Sequence, residues 1–199
     1  MRLFIAVKIP DEIKEKIHNS FLYSRDSLEF ARFTETDNLH ITLVFLGEVE
    51  DALLERIKRI VESVTNKYSQ KRIELSGIVI GPDINTARMI WLKLGDDSQK
   101  YLESISQSLK KELKDKNILF DGRNFFNGHV TLAKFGQNWQ SKYDSKNEKG
   151  KTEDINFIKE TLPETFEAHF DSKSITLFSS KKIDGKRIYE PLFESDFKG

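Results

Sequence analysis

The chain contains no cysteine, which removes disulfides, thiol nucleophiles and zinc–thiolate sites from consideration. It also lacks net charge, since 32 lysines and arginines offset 32 aspartates and glutamates. A protein that coats a long duplex carries a basic excess, because phosphate neutralisation drives that binding. Any nucleic-acid contact here is therefore expected to be local, at a strand end or a single phosphate. Long apolar runs are missing too. The N-terminal MRLFIAVKIPDEI is interrupted at Lys8 and closed by Pro10, Asp11 and Glu12, unlike a signal peptide, and nothing later is expected to span a bilayer. A cytoplasmic enzyme or binding protein is the resulting expectation.

What is present is a soluble globular mixture, 38% hydrophobic and 32% charged over 199 residues, enough for one ordinary domain or two small lobes around a real core. RLFIAVKI reads as a strand stopped by Pro10. Asp11 reads as the N-cap of a helix carrying Ile13, Ile17 and Phe21. From Asp51 to about Tyr68, Leu53, Leu54, Ile57, Ile60, Val61 and Val64 form one apolar stripe. RIELSGIVI and MIWLKL follow as strands around a turn, then a helix from Ser98 to about Lys116. The stretch from Gln137 to Asp154 is polar and without period, and reads as a long loop, followed by a short helix near Ile155–Thr161 ended by Pro163. FEAHF, SITLFSSKKI and YEPLFESDF close the chain as strands. Helices alternate with strands early and strands return in pairs late, which predicts an α+β protein.

Two stretches are near-copies. HITLVFLG begins at His40 and HVTLAKFG at His129, 89 residues later, in a chain with only four histidines. Side chains alternate across a strand, so His40, Thr42 and Val44 are expected on one face and Ile41, Leu43 and Phe45 on the other; His129 and Thr131 similarly oppose Val130 and Leu132. The same parity turns Lys134 away from the histidine face. The apolar faces can pack on helices, leaving an imidazole and a hydroxyl side by side in each copy. Two imidazoles near pH 6.5 can share acid and base work at neutral pH, and two hydroxyls can hold non-bridging phosphoryl oxygens where charge collects. This suits in-line displacement at phosphorus. A single H-I-T-L is ordinary strand vocabulary, as SITLFSS at 174–180 demonstrates without a histidine; the pairing of two histidines, each two residues before threonine, is what points to chemistry. His18 and His169 have no such companion.

The double motif resembles that of the 2H phosphoesterase superfamily, and within it the RNA 2′,3′-cyclic phosphodiesterases historically called 2′-5′ RNA ligases. RLFIAVKIP, NLHITLVFLGEV, ARMIWLKLG, FNGHVTLAKF and ITLFSS…YEPL carry the likeness along nearly the whole chain. The resemblance implies a single bilobal domain over 1–199, with two antiparallel sheets and outer helices around a central cleft, related by a pseudo-twofold internal repeat. It implies metal-independent, cofactor-free hydrolysis of a terminal 2′,3′-cyclic phosphate to a 2′-phosphomonoester, with reverse 2′-5′ joining. The implied substrates are RNA 3′ ends or nucleotides bearing the cyclic phosphate, handled by a monomer away from membranes. By position, His40 becomes the proton donor and His129 the acceptor, with Thr42 and Thr131 on the phosphate. Family members usually have proline where Gly128 stands and arginines where Lys134 and Asn124 stand, with Arg123 one residue off. Arg123 and Lys134 are thus candidate substrate ligands, lysine lacking the bidentate fork, and Gly128 suggests a looser entry to the second motif. Phe126 is a candidate for stacking on a base or for the core.

Other classes fit parts of this pattern. A non-hydrolytic binder would use the same residues without releasing product. A metal site would need ligands that neither motif has beside it, there being no H-x-H, HExxH or acidic cluster. A relative acting on a small cyclic nucleotide is separated only by a substrate panel.

Overall fold

A computed structural model describes residues 1–83, 85–122 and 125–198. Among the described residues, nine strands and six α-helices follow in the order β1 (Arg2–Lys8), α1 (Asp11–Ser20), α2 (Leu22–Ser27), β2 (Ala31–Phe33), β3 (His40–Glu48), α3 (Leu54–Thr65), β4 (Lys71–Gly81), β5 (Met89–Leu94), α4 (Asp96–Asp115), β6 (His129–Phe135), α5 (Gln137–Asp144), α6 (Glu148–Thr161), β7 (Glu167–Ser172), β8 (Ser174–Ile183) and β9 (Lys186–Asp196). The strands are hydrogen-bonded in the order β7-β4-β5-β6-β3-β1-β8-β9, with β2 beside β6, and every named pair is antiparallel. Two sheets were expected; the pairing instead runs through as one path. Its centre is thin, because β3 and β6 share a single pair, Ile41 with Val130.

The apolar stripes read from the sequence do the packing. Ile57, Ile60, Val61 and Val64 of α3 and Leu102, Ile105, Leu109 and Leu113 of α4 are buried, each contributing about 1.5–3 kcal/mol when fully withdrawn from water. These two helices pack on each other; α3 also lies against β8 and β9, and α4 against β3 and β4. On the other half, α1 meets β7, and α6 meets α2 and α5. Asp11 is the first residue of α1 and Pro10 holds the N-cap position, with no side-chain cap.

The polar stretch expected as a loop from Gln137 to Asp154 is instead α5 and the first half of α6. Its anchors are sparse: Trp139 stacks on the fully buried Tyr143 four residues on, and Ile155 and Ile158 are buried in α6. The Asn147 side chain caps α6 by accepting from the Gly150 N–H at 3.0 Å. Charged residues surround these few apolar positions and hide their period.

Both histidine strands carry the same irregularity. Ala6 pairs with Thr42 and Ile5 with Val44, so Leu43 is an extra residue; Trp91 pairs with Thr131 and Ile90 with Ala133, so Leu132 is extra. Each bulge falls three residues after its histidine and reverses the alternation beyond it. Val44 consequently joins the main core and Phe45 turns to the histidine face, within 6.0 Å of the Phe4 ring. The strict parity expected for Val44 and Phe45 fails for this reason. The bulged carbonyls are both satisfied: the Ser106 hydroxyl donates to Leu43 O at 2.7 Å, and the Thr34 N–H donates to Leu132 O at 2.7 Å.

Candidate active site

The lone Ile41–Val130 pair joins the residues that immediately follow the two histidines. Continued outward, that antiparallel register sets His40 opposite Thr131 and Thr42 opposite His129. The histidines then lie diagonally across that pair, near enough for the charge of His129 to act on His40. The two motifs cross at their midpoints, and all four side chains lie on the face away from the main core.

Each ring is fixed in the same way. His40 Nδ1 lies 2.6 Å from the carbonyl of Asn38, and His129 Nδ1 lies 2.8 Å from the carbonyl of Asn127. A carbonyl only accepts, so Nδ1 carries a proton in both and the neutral ring presents a bare Nε2. The Thr42 hydroxyl donates to that nitrogen of His40 at 3.0 Å. Both anchors are main-chain carbonyls, which any residue supplies, so no residue type in the sequence marks them.

The surroundings of the rings differ. His40 sits on a second, small apolar cluster of Phe4, Ala6, Phe178 and Tyr189, with Phe4 at 4.9 Å and Tyr189 edge-on at 5.2 Å. His129 has the Trp91 ring at 4.6 Å. Burial against the aromatic cluster lowers the His40 pKa from 6.5 to about 4, opposed by the Asn38 carbonyl and reinforced by the positive charges of His129 and Lys134. At neutral pH the unliganded ring of His40 is uncharged.

Lys134 also departs from the expected parity. The bulge at Leu132 leaves Ala133 in the core and Lys134 exposed, on the histidine face, where its charge acts on His40. Phe126 is half-buried and packs against the main core, while Arg123 and Asn124 lie outside the described residues. Gly128 is not loosely held. Gln99 accepts from the Gly128 N–H at 3.0 Å and donates to Phe126 O at 2.9 Å, bracketing Asn127. A Cβ on Gly128 would come within 2.5 Å of Leu94, so glycine answers a close approach here, and a proline would remove the N–H that Gln99 holds. Nothing in the sequence marked Gln99. His18 is on α1 with Thr36 at 3.3 Å, and His169 is exposed on β7; neither approaches the paired motifs in sequence or sheet order.

Among the described residues, no three His, Cys, Asp or Glu side chains are grouped to hold a metal ion, and no helix is long and apolar enough to cross a membrane.

Comparison with known proteins identifies the family and the fold. The chain is 30% identical over 196 residues to the RNA 2′,3′-cyclic phosphodiesterase of Methanocaldococcus jannaschii, covering 98% of this chain and 99% of that one. It is 31% identical over 134 residues to the protein of the same name from Archaeoglobus fulgidus, covering 67% and 72%. The fold matches a crystal structure from Thermus thermophilus with a TM-score of 0.75 at 20% identity, covering 100% and 99% of the chains. It also matches E. coli LigT complexed with NADP+, with a TM-score of 0.68 at 22% identity, covering 100% and 98%. The description of the AKAP7 2′5′ RNA ligase-like domain fits residues 4–197, and with that extent of match the chain belongs to this family.

Proposed function

We propose that the protein hydrolyses RNA-terminal 2′,3′-cyclic phosphates to 2′-phosphomonoesters by two-histidine acid–base catalysis, without a metal, and that the reverse 2′-5′ joining uses the same groups. The carrying observation is the matched pair of imidazoles, each with Nδ1 on a backbone carbonyl, set diagonally across the Ile41–Val130 pair. The relatives named RNA 2′,3′-cyclic phosphodiesterase support the same substrate class.

In this reading the cyclic phosphate lies in a cleft between two lobes, the β1/β3/β8/β9 half and the β4/β5/β6/β7 half, which repeat each other about the β3–β6 seam. His129 Nε2 takes a proton from water, whose oxygen attacks phosphorus. Negative charge grows on the non-bridging oxygens, where the Thr42 and Thr131 hydroxyls and the Lys134 ammonium stabilise it. The P–O3′ bond breaks in line with the incoming oxygen, and His40 Nε2–H protonates the departing ribose O3′. One proton is taken, one is given, and the product keeps its phosphate on O2′.

A donor must be protonated, yet burial holds unliganded His40 near pH 4. The substrate supplies the correction. A phosphate anion about 4 Å away at an effective dielectric near 20 is worth about 4 kcal/mol, enough to return the titration of His40 to about pH 7. Substrate binding thus charges the acid. The test is to incubate the protein with chelator and an oligoribonucleotide ending in 2′,3′-cyclic phosphate, and to identify the product isomer. A 2′-phosphate from wild type and its loss in His40→Ala and His129→Ala is expected; wild-type rate in either folded variant sinks the mechanism.

A further inference from the structure

The β8–β9 hairpin closes through Asp184 and Gly185, both with positive φ, 48° and 80°. This two-residue turn matches the twist of the strands and fixes their register. Lys182 stands opposite Arg187, and Ser180 opposite Tyr189. Directly opposed residues share a face, as do residues two apart. Tyr189 faces His40, so Ser180, Lys182 and Arg187 face that way too, and the Arg187 guanidinium donates to Ser180 Oγ at 3.1 Å. Phe4 lies on the same face, in ring contact with both His40 and Tyr189, which puts Arg2, two residues earlier in β1, there as well. The positive charges of Arg2 and Arg187 both reach the Tyr189 phenol.

The neighbouring lysines are already neutralised: Lys181 pairs with Glu190 and Lys186 with Glu35. Glu48, opposite Arg2 in β3, lies 4.0 Å from the N-terminal ammonium. Among the described residues, Arg2, Lys182 and Arg187 enter no ion pair, and all three are exposed. The hairpin is also tied to the site, since the Asn38 side-chain amide donates to Arg187 O at 2.8 Å while the Asn38 carbonyl holds His40.

The reaction direction tells which ligand passes this way. The oxygen that leaves phosphorus is a ribose oxygen, so the sugar lies on the side of the acid that protonates it, and water enters from the other. With His40 as that acid, the nucleotides 5′ of the cyclic end continue over Phe4, Tyr189 and the hairpin. We infer that Arg2, Lys182 and Arg187 form a track for the phosphodiester backbone immediately 5′ of the cyclic phosphate, making the protein an enzyme of RNA strand ends in preference to cyclic mononucleotides. This rests on the proposed hydrolytic function.

The experiment compares wild type with the Lys182→Ala/Arg187→Ala double variant on 2′,3′-cyclic AMP and on an oligoribonucleotide ending in the same cyclic nucleotide, at 50 and 200 mM salt. The wild type is expected to prefer the oligonucleotide in kcat/KM. The double variant is expected to lose that preference through a higher KM, and to lose about seven-fold of the salt effect, as two single-strand phosphate contacts imply. An equal loss on both substrates, or no preference in wild type, overturns the track. Binding of a 2′-phosphate-ended oligonucleotide, read by fluorescence anisotropy, separates the two failures. If wild type turns over neither substrate, the hydrolytic reading falls, while weaker oligonucleotide binding by the double variant still upholds the track and unchanged binding overturns it.

Discussion

The two halves of the molecule use one backbone device in two chemical settings. In both, a strand opens on histidine, anchors Nδ1 on a carbonyl two residues back, and bulges three residues on. In the first half the bulged carbonyl is held by a helix hydroxyl, Ser106, and in the second by the Thr34 backbone. The residue after the bulge that turns back to the histidine face is Phe45 in one strand and Lys134 in the other. Three aromatic rings wall His40, whereas Trp91 stands by His129. One backbone device therefore sets its imidazole among different side chains in the two halves, and burial among three rings holds the His40 pKa below its ordinary value.

The comparison breaks most sharply when either imidazole is removed. His40→Ala and His129→Ala are each expected to cost about 10²–10⁴-fold in kcat with the circular dichroism of the fold retained; unequal losses would measure how far acid and base contribute differently. Next comes Thr42→Val, expected to cost more than Thr131→Val, up to about 10²-fold in kcat, because Thr42 also holds His40 Nε2. Gln99→Ala frees the backbone that brackets Asn127, and misplacement of the His129 ring lowers kcat by up to about 10²-fold with KM little altered and the His129 ring resonances shifted by NMR. Equal changes in KM would argue against a positioning role.

The lowered proton affinity of His40 is read by titration. Because the folded value of His40 lies below the ordinary 6.5, at about 4, the unfolded chain binds the extra proton between those values. Stability contributed by the neutral ring is complete above about pH 6.5 and is lost as pH falls toward 4. Thermal melts should decline through that window in wild type and decline less in His40→Gln, and inorganic phosphate should move the His40 NMR titration upward. The smallest effect is expected from Lys134→Ala, which removes a like charge and raises the His40 titration while weakening phosphate affinity.

The four motif residues stood out because a rare residue recurs two positions before threonine in two near-identical strands, and the Ile41–Val130 pair brings those strands together. Most strands were legible from alternation, and α3 and α4 from their apolar stripes. The bulges were not, since an extra residue such as Leu43 or Leu132 leaves no mark in an apolar run, and with them went the facing of Val44, Phe45 and Lys134. The helices after Gly136 were hidden because Trp139, Tyr143, Ile155 and Ile158 are too few among charges to show a period. Gln99 acts from a helix 29 residues away in sequence, a separation that no local pattern records. The Asp184–Gly185 turn, in contrast, is written in a dipeptide whose residues both tolerate positive φ.

The carbonyl anchors have a consequence for repeated turnover. With Nδ1 occupied, each ring offers substrate only one nitrogen, whatever its charge. In the proposed mechanism protons come and go at that single atom, so neither imidazole has to rotate before the next molecule arrives, and exchange with water alone resets the pair.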